Sequence, residues 1–161
     1  MNIRLVSIGR RMPRWVEEGY AEYAKRLPAS CQLELVALDP TRRTVKGTRS
    51  AADLQRIRAD EGNRLLRAIP DGSLVVALDE CGRSWSTADL AQELTGWLGE
   101  GRDVALLVGG PDGLAPACLD RADRCWSLSA LTFPHSLVRV IVAEQIYRAW
   151  TLVQGHPYHR G

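Results

Sequence analysis

Two Gly/Ser/Pro-rich turns and a donor-rich tail hold the residues of this chain best suited to chemistry. The first turn, Gly109-Gly110-Pro111-Asp112-Gly113, follows the apolar run Val104–Val108. The second, Ser127-Leu128-Ser129-Ala130-Leu131-Thr132-Phe133-Pro134, leads into His135. Paired glycines let a ligand approach the backbone closely and open dihedrals closed to other residues. In open α/β sheets, turns at the C-terminal ends of neighbouring strands line the ligand crevice, so both turns are expected to face one pocket. Phosphate is a poor candidate for that pocket. No G-x-G-x-x-G follows the first strand, no G-K-[ST] occurs, and the glycine turn carries Asp112 without Lys or Arg. A neutral or cationic ligand with an adenine ring suits it better, with the base edge on backbone groups and Leu78, Leu128, Leu131 and Phe133 as walls. Taken alone, a Gly-Gly turn is more often a plain strand-to-helix connection.

His135, Arg139, Arg148, His156, Tyr158, His159 and Arg160 are the candidate bases and cationic donors near this pocket. His135 could instead cap the helix that follows it. His156 and His159 lack a third ligand and are separated by Pro157, so no metal site is expected. The tail 156–160 is either a frayed terminus or an arm that contacts anions and RNA. Arg139 and Arg148 are expected on one side of the last helix, with an ion pair to Glu144 as their ordinary role. Trp85, Trp126 and Trp150 could stack on a splayed base; core packing is the expected role of Trp126 and Trp150.

The elements that must position these residues alternate. Residues 3–8 read as a strand ended by Gly9, followed by a helix from Pro13 through Leu27 that Pro28 stops. A second strand spans 33–38, and Ser50 is a plausible N-cap for a helix reaching Ile69. Residues 74–78 are an apolar run of the kind expected of a strand covered on both faces, ending in a polar turn at 79–83. Ser86 and Asp89 resemble a capping arrangement for a helix over 88–98, terminated by Gly99 and Gly101. Val104–Val108 follows as another buried strand. Strands alternating with helices predict a parallel α/β sheet. The last helix, 136 to about 153, is apolar around most of its circumference, so it is either swallowed by the core or covered on one face by a second subunit; an isologous dimer is favoured.

Composition bounds the rest. With 161 residues, 45% apolar and 25% charged, the chain reads as a single domain over 1–161 with a sizeable core. No run is long enough to span a bilayer and no signal-peptide core opens the chain. Cys31, Cys81, Cys118 and Cys125 show no zinc-like spacing, and scattered thiols suggest a reducing cytoplasm. A net charge of +2 does not announce a nucleic-acid binder by itself. Arg10, Arg11 and Arg14 cluster after the first strand, and Arg42, Arg43, Lys46 and Arg49 fall in one acid-free segment; such patches either track phosphates or are ordinary solvated loops.

The combination LLVGGPDG, then WSLSALTFPHSLVRVIVAEQIYRAW, then HPYHR resembles the ribosomal large subunit pseudouridine methyltransferase (RlmH) family of the SPOUT methyltransferases. PRWVEEGYAEYAKR, VALDECGRSWS and the total length are similar too, so the resemblance covers essentially the whole chain. It implies an α/β fold, a parallel-rich sheet flanked by helices with a C-terminal trefoil knot, a topology that chain-connection rules alone would not suggest. It implies S-adenosyl-L-methionine bound by Leu78, Gly109, Gly110, Ser129, Ala130, Leu131, Thr132, Phe133 and Pro134. It further implies methylation of N3 of a pseudouridine in 23S rRNA on the assembled ribosome, by a cytoplasmic homodimer formed through the C-terminal helix. His135, Tyr158, His159 and Arg160 are then the expected catalytic residues, the last three approaching the base across the dimer interface. Phe133 stands where the family pattern commonly has a smaller or aliphatic residue. Two rivals stay open at this level: a non-catalytic ribosome-associated factor using the same surface, and a nucleotide hydrolase with a divergent phosphate loop.

Overall fold

The computed structural model describes residues 1–42 and 50–160. Five parallel strands form one sheet in the order β2-β1-β4-β3-β5: β1 (Asn2–Ile8), β2 (Gln32–Leu38), β3 (Leu74–Ser84), β4 (Val104–Val108) and β5 (Arg124–Ser127). Helices α1 (Arg14–Ala24), α2 (Ala51–Arg67), α3 (Thr87–Glu100), α4 (Pro116–Arg121) and α5 (His135–Val153) cover it. The two-residue period of the strands splits the core into two layers. Ile3, Leu5, Val76, Val104 and Leu106 pack with Leu90 and Leu94 of α3 and Val142 and Ile146 of α5. Val6, Ile8, Val75, Ala77 and Leu107 face the other way, onto Leu65 of α2 and Cys118 of α4. Each fully buried Leu or Ile contributes about 2 kcal/mol of hydrophobic stabilisation.

Helix starts follow their capping chemistry. Ser50 and Ser86 each accept a hydrogen bond from the backbone N–H three residues on, and Asp53 and Asp89 complete reciprocal capping boxes. The last of these interactions also holds the Asp89 carboxyl below its ordinary range. Helix α3 runs through Gly99 and ends at Gly101, whose φ of 66° is the left-handed conformation suited to a helix C-terminus. Gly99 is therefore not a terminator. The expected polar turn after residue 78 is also corrected: β3 continues to Ser84, because Leu78 and Arg83 both pair with Trp126 and the residues between them bulge out. A Cβ on Gly82 would lie 2.8 Å from the backbone of Cys125 and Trp126, so the glycine permits this re-pairing. Helix α1 stops at Ala24, short of the expected Leu27, although Leu27 is buried in the core.

All four cysteines are free thiols, and burial pushes Cys31 up to about 11. Among the described residues, no helix is long and apolar enough to cross a membrane. Of the basic segment, Arg42 is exposed, while Arg43, Lys46 and Arg49 lie outside the described residues.

Candidate active site

The middle of β3, where it bulges, and the C-terminal ends of β4 and β5 converge on a cavity of about 670 Å³, within the range of small-molecule sites. Leu78, Gly109, Gly110, Ser129, Leu131, Thr132, Phe133 and Pro134 line it, as does His135. Ala130 belongs to the same bend but is exposed and does not line the cavity. The turns expected from sequence to share a pocket therefore do so.

Local geometry explains their shapes. The glycine turn closes on itself through an isolated bridge between Gly110 and Gly113, with the Gly113 N–H donating to the Gly110 carbonyl at 3.0 Å. A Cβ on Gly109 would stand 2.6 Å from the Gly113 carbonyl carbon, so no larger residue fits this crossing. Behind Gly110 lies Glu61 of α2, a carboxylate only 1% exposed. Its Oε1 accepts from the Thr41 N–H at 3.2 Å, and its Oε2 is 3.0 Å from where a Gly110 Cβ would be. In the second bend, the Ser127 hydroxyl donates to the Ser129 carbonyl and the Ser129 hydroxyl accepts from the Leu131 N–H, at 3.1 and 2.9 Å.

The walls are apolar on one side (Leu78, Leu128, Phe133, Val138) and acidic at the rim (Asp79, Glu80, Asp112). No Lys or Arg lines the cavity among the described residues. This charge pattern repels phosphate and suits a cation. Trp126 is buried, stacks on Trp85 with ring centroids 5.2 Å apart and also lines the cavity, so it is core and wall at once.

His135 is the first residue of α5 rather than its cap; the N-cap position is taken by Pro134, which makes no side-chain capping bond. His135 instead lines the cavity, and its Nε2 is 3.6 Å from where a Cβ on Gly9 would be. Arg139, one turn later, is buried rather than ion-paired to Glu144. Its Nε and Nη2 donate to Ser7 Oγ at 3.3 and 3.2 Å, and Nη2 also donates to the carbonyls of Ile8 and Gly9. Burial presses this guanidinium below its ordinary value, with Tyr20 and Glu17 opposing the shift. Arg148 is the residue that pairs with Glu144, at 2.7 Å. The expectation that the two arginines share a side fails on helix geometry, since nine residues at 100° each end half a turn away.

Tyr158, His159 and Arg160 are not at the cavity of their own chain. They form a 3₁₀ turn (Pro157–Arg160) at the opposite end of α5, and 19 helical residues span about 28 Å. This tail is docked, not frayed. Tyr158 packs on Tyr147 at 4.7 Å, lies under the Arg148 guanidinium at 5.1 Å and donates to Glu144 Oε1 at 3.2 Å. Burial and the Glu144 charge push its phenol up to about 12. His156 Nδ1 accepts from the Tyr158 N–H at 3.2 Å, and His159 Nδ1 has no hydrogen-bond partner among the described residues. No group of three or more His, Cys, Asp or Glu able to hold a metal occurs among the described residues.

Sequence reasoning missed Glu61, Val138 and the burial of Arg139. Val138 was detectable, lying three residues after His135 on the same helical face. Glu61 and Arg139 were not, because nothing local marks a charged residue on an amphipathic helix as buried.

A parallel sheet flanked by helices, with an acid-rimmed, glycine-crossed cavity at its strand ends, defines an α/β fold with a ligand-sized crevice. A family model described as "Predicted SPOUT methyltransferase" matches residues 1–159, and the chain belongs to that family. Its relatives carry a more particular name. It is 58% identical over 160 residues to "Ribosomal RNA large subunit methyltransferase H" of Methylococcus capsulatus, covering 99% of this chain and 100% of the relative. Proteins of the same name from Thioalkalivibrio sulfidiphilus and Alkalilimnicola ehrlichii are 59% and 61% identical, each with 99% of both chains covered. Among solved structures, a probable methylase family protein from Haemophilus influenzae matches with a TM-score of 0.54 at 14% identity, covering 97% of this chain and 69% of that one. A putative methylase family protein from Neisseria gonorrhoeae matches with a TM-score of 0.50 at 18% identity, covering 91% and 81%. At such identity these two bear on the fold alone.

Proposed function

We propose that this chain is an S-adenosyl-L-methionine-dependent methyltransferase of large-subunit ribosomal RNA, acting on N3 of a pseudouridine in 23S rRNA on the assembled ribosome, in the cytoplasm. The observation that carries this is the convergence of the β3 bulge and the two turns on one cavity with an acidic rim and, among the described residues, no lysine or arginine on its walls. Leu78, Gly109, Gly110 and the bend 129–134 would hold the cofactor, whose adenine ring suits the apolar wall and whose positive charge suits Asp79, Glu80 and Asp112. When bound, it supplies an electrophilic methyl group on a cationic sulfur.

Reactions of this kind rest on positioning, and the rigid turns supply it. The acceptor N3–H is a weak acid that must give up its proton or have its developing anion stabilised. His135, one of the residues lining the cavity, accepts that proton. Tyr158, with its phenol held protonated, acts as a donor, and His159 and Arg160 add further donors to the target base.

Within one chain those donors are a helix length away, so the account requires a homodimer in which the partner's tail reaches the cavity. Leu137 and Ile141 near the start of α5 and Leu152 near its end are partly exposed on the side away from Ile146 in the core, with Glu144, Gln145 and Arg148 between them. This mixed face suits an isologous interface. A trefoil knot in the C-terminal part belongs to the same proposal, supported by the common cavity of the turns before α4 and α5.

Purified protein given label-bearing cofactor and ribosomes should methylate 23S rRNA, and mass spectrometry of digested nucleosides should find N3-methylpseudouridine. Ribosome binding without a modified nucleoside would instead favour a docking factor that carries no activity.

A further inference from the structure

The cavity has two unlike rims. Asp79, Glu80 and Asp112 make one of them acidic, and it repels a phosphate backbone. The segment that leaves β1 beside His135 is the opposite: residues 9–15, GRRMPRW, contain three arginines and no acid. Gly9 brings this segment to the site, because its φ of 108° turns the chain and its missing side chain leaves room for Met12, His135 and Arg139. Beyond it, Arg10, Arg11 and Arg14 are exposed, with side-chain exposure of 61% for Arg10 and 89% for Arg14. Arg10 pairs with Asp39 at 3.3 Å and Arg14 with Glu18 at 2.7 Å. Such exposed pairs are weak and screened, so a phosphate can compete for them. Arg11 has no ion pair among the described residues. Next to these cations Trp15, in the first turn of α1, is 55% exposed, an unusual state for the largest side chain. Cations alternating with an exposed indole are the chemistry of single-stranded nucleic-acid binding, in which arginines track the backbone and a base stacks on the ring.

We infer that residues 10–15 form the surface on which the rRNA strand docks beside the cavity, with Arg10, Arg11 and Arg14 on phosphates and Trp15 stacking an unpaired base near the target. This rests on the RNA substrate proposed above and assigns the strand to the β1 side of the mouth. The acidic rim is left to face the donor.

The test uses the intact protein and measures ribosome affinity by co-sedimentation, independently of methylation. Variants Trp15→Ala and Arg11→Gln are compared with Arg67→Gln, an exposed arginine at the far end of α2. Trp15→Ala should weaken ribosome binding about tenfold, as loss of one base–aromatic stack does. Arg11→Gln should lower the slope of log affinity against log salt by about one. Arg67→Gln should change neither, and all three should keep cofactor affinity and the mass seen by sedimentation. Unchanged ribosome affinity and salt slope in both Trp15→Ala and Arg11→Gln would overturn the inference. So would a halved mass for Trp15→Ala, which would assign the indole to a second copy of the chain. Ribosome binding that depends on this patch, without any methylated nucleoside, would sink the enzymatic proposal and leave the docking surface standing.

Discussion

The two ends of α5 differ in what a single chain can complete. At its N-terminal end His135 joins a cavity whose walls all come from the same chain, braced by Arg139 on the carbonyls of Ile8 and Gly9. At its C-terminal end Tyr158 packs on Glu144 and Arg148, with His159 and Arg160 in the same turn and away from that cavity. One end holds the candidate cofactor cavity; the other holds the tail donors, away from it. About 28 Å of helix keeps them apart. The proposed homodimer would resolve the mismatch, because a two-fold partner could lay its tail end against this chain's cavity end.

The largest effect is expected from Gly110→Arg, which drives a long cation against Glu61 and Ile8 and across the glycine turn. Calorimetry should detect no cofactor binding, and label transfer should vanish; retained binding would count against the cavity as the cofactor site. Ending the chain after Gln154 should instead leave cofactor affinity within about twofold while lowering methyl transfer about 100-fold or more, the scale of lost acid–base and donor assistance. A parallel loss of cofactor affinity would mean that the two ends are not separate in function.

Arg139→Ala removes a buried guanidinium and leaves the Ser7, Ile8 and Gly9 acceptors without their donor. It should cost about 3 kcal/mol in denaturant unfolding. Arg148→Ala breaks a more accessible pair and should cost about 1 kcal/mol or less. Equal costs would remove the asymmetry between the two arginines.

The smallest effect concerns Tyr158. Its folded-state value of about 12 exceeds the ordinary value of 10.0, so the fold favours the protonated phenol. The stability tied to that proton is intact below about pH 10 and drains as pH rises towards about 12. Tyr158→Phe should show a shallower decline of Tm across that window than the parent chain.

What the sequence disclosed follows physical locality. Strand runs, capping boxes and the glycine turn depend on neighbours in the chain, and Ser50-Asp53 and Ser86-Asp89 behave as their spacing demands. The cavity followed from strand-end turns in a parallel sheet, and its lining matches the two turns named for ligand binding apart from Ala130. The polar stretch after Leu78 was misjudged because its pairing partner, Trp126, lies more than forty residues away. Arg139 was misjudged for a similar reason: its acceptors are on β1, at the other end of the sequence. The distance of the tail from the cavity was hidden as well, since only the folded length of α5 sets it.

Mixing two inactive variants tests the account most directly. Gly110→Arg has a ruined cavity and an intact tail; the chain ending at Gln154 has an intact cavity and no tail. If each site joins one chain's cavity to its partner's tail, re-associated equal mixtures hold one complete site in every mixed dimer. Methyl transfer should then recover to about a quarter of the parent activity, since half the dimers are mixed and each has one of two sites. If cavity and tail must come from the same chain, no mixed dimer holds a complete site, and a mixture as inactive as its components would contradict the account.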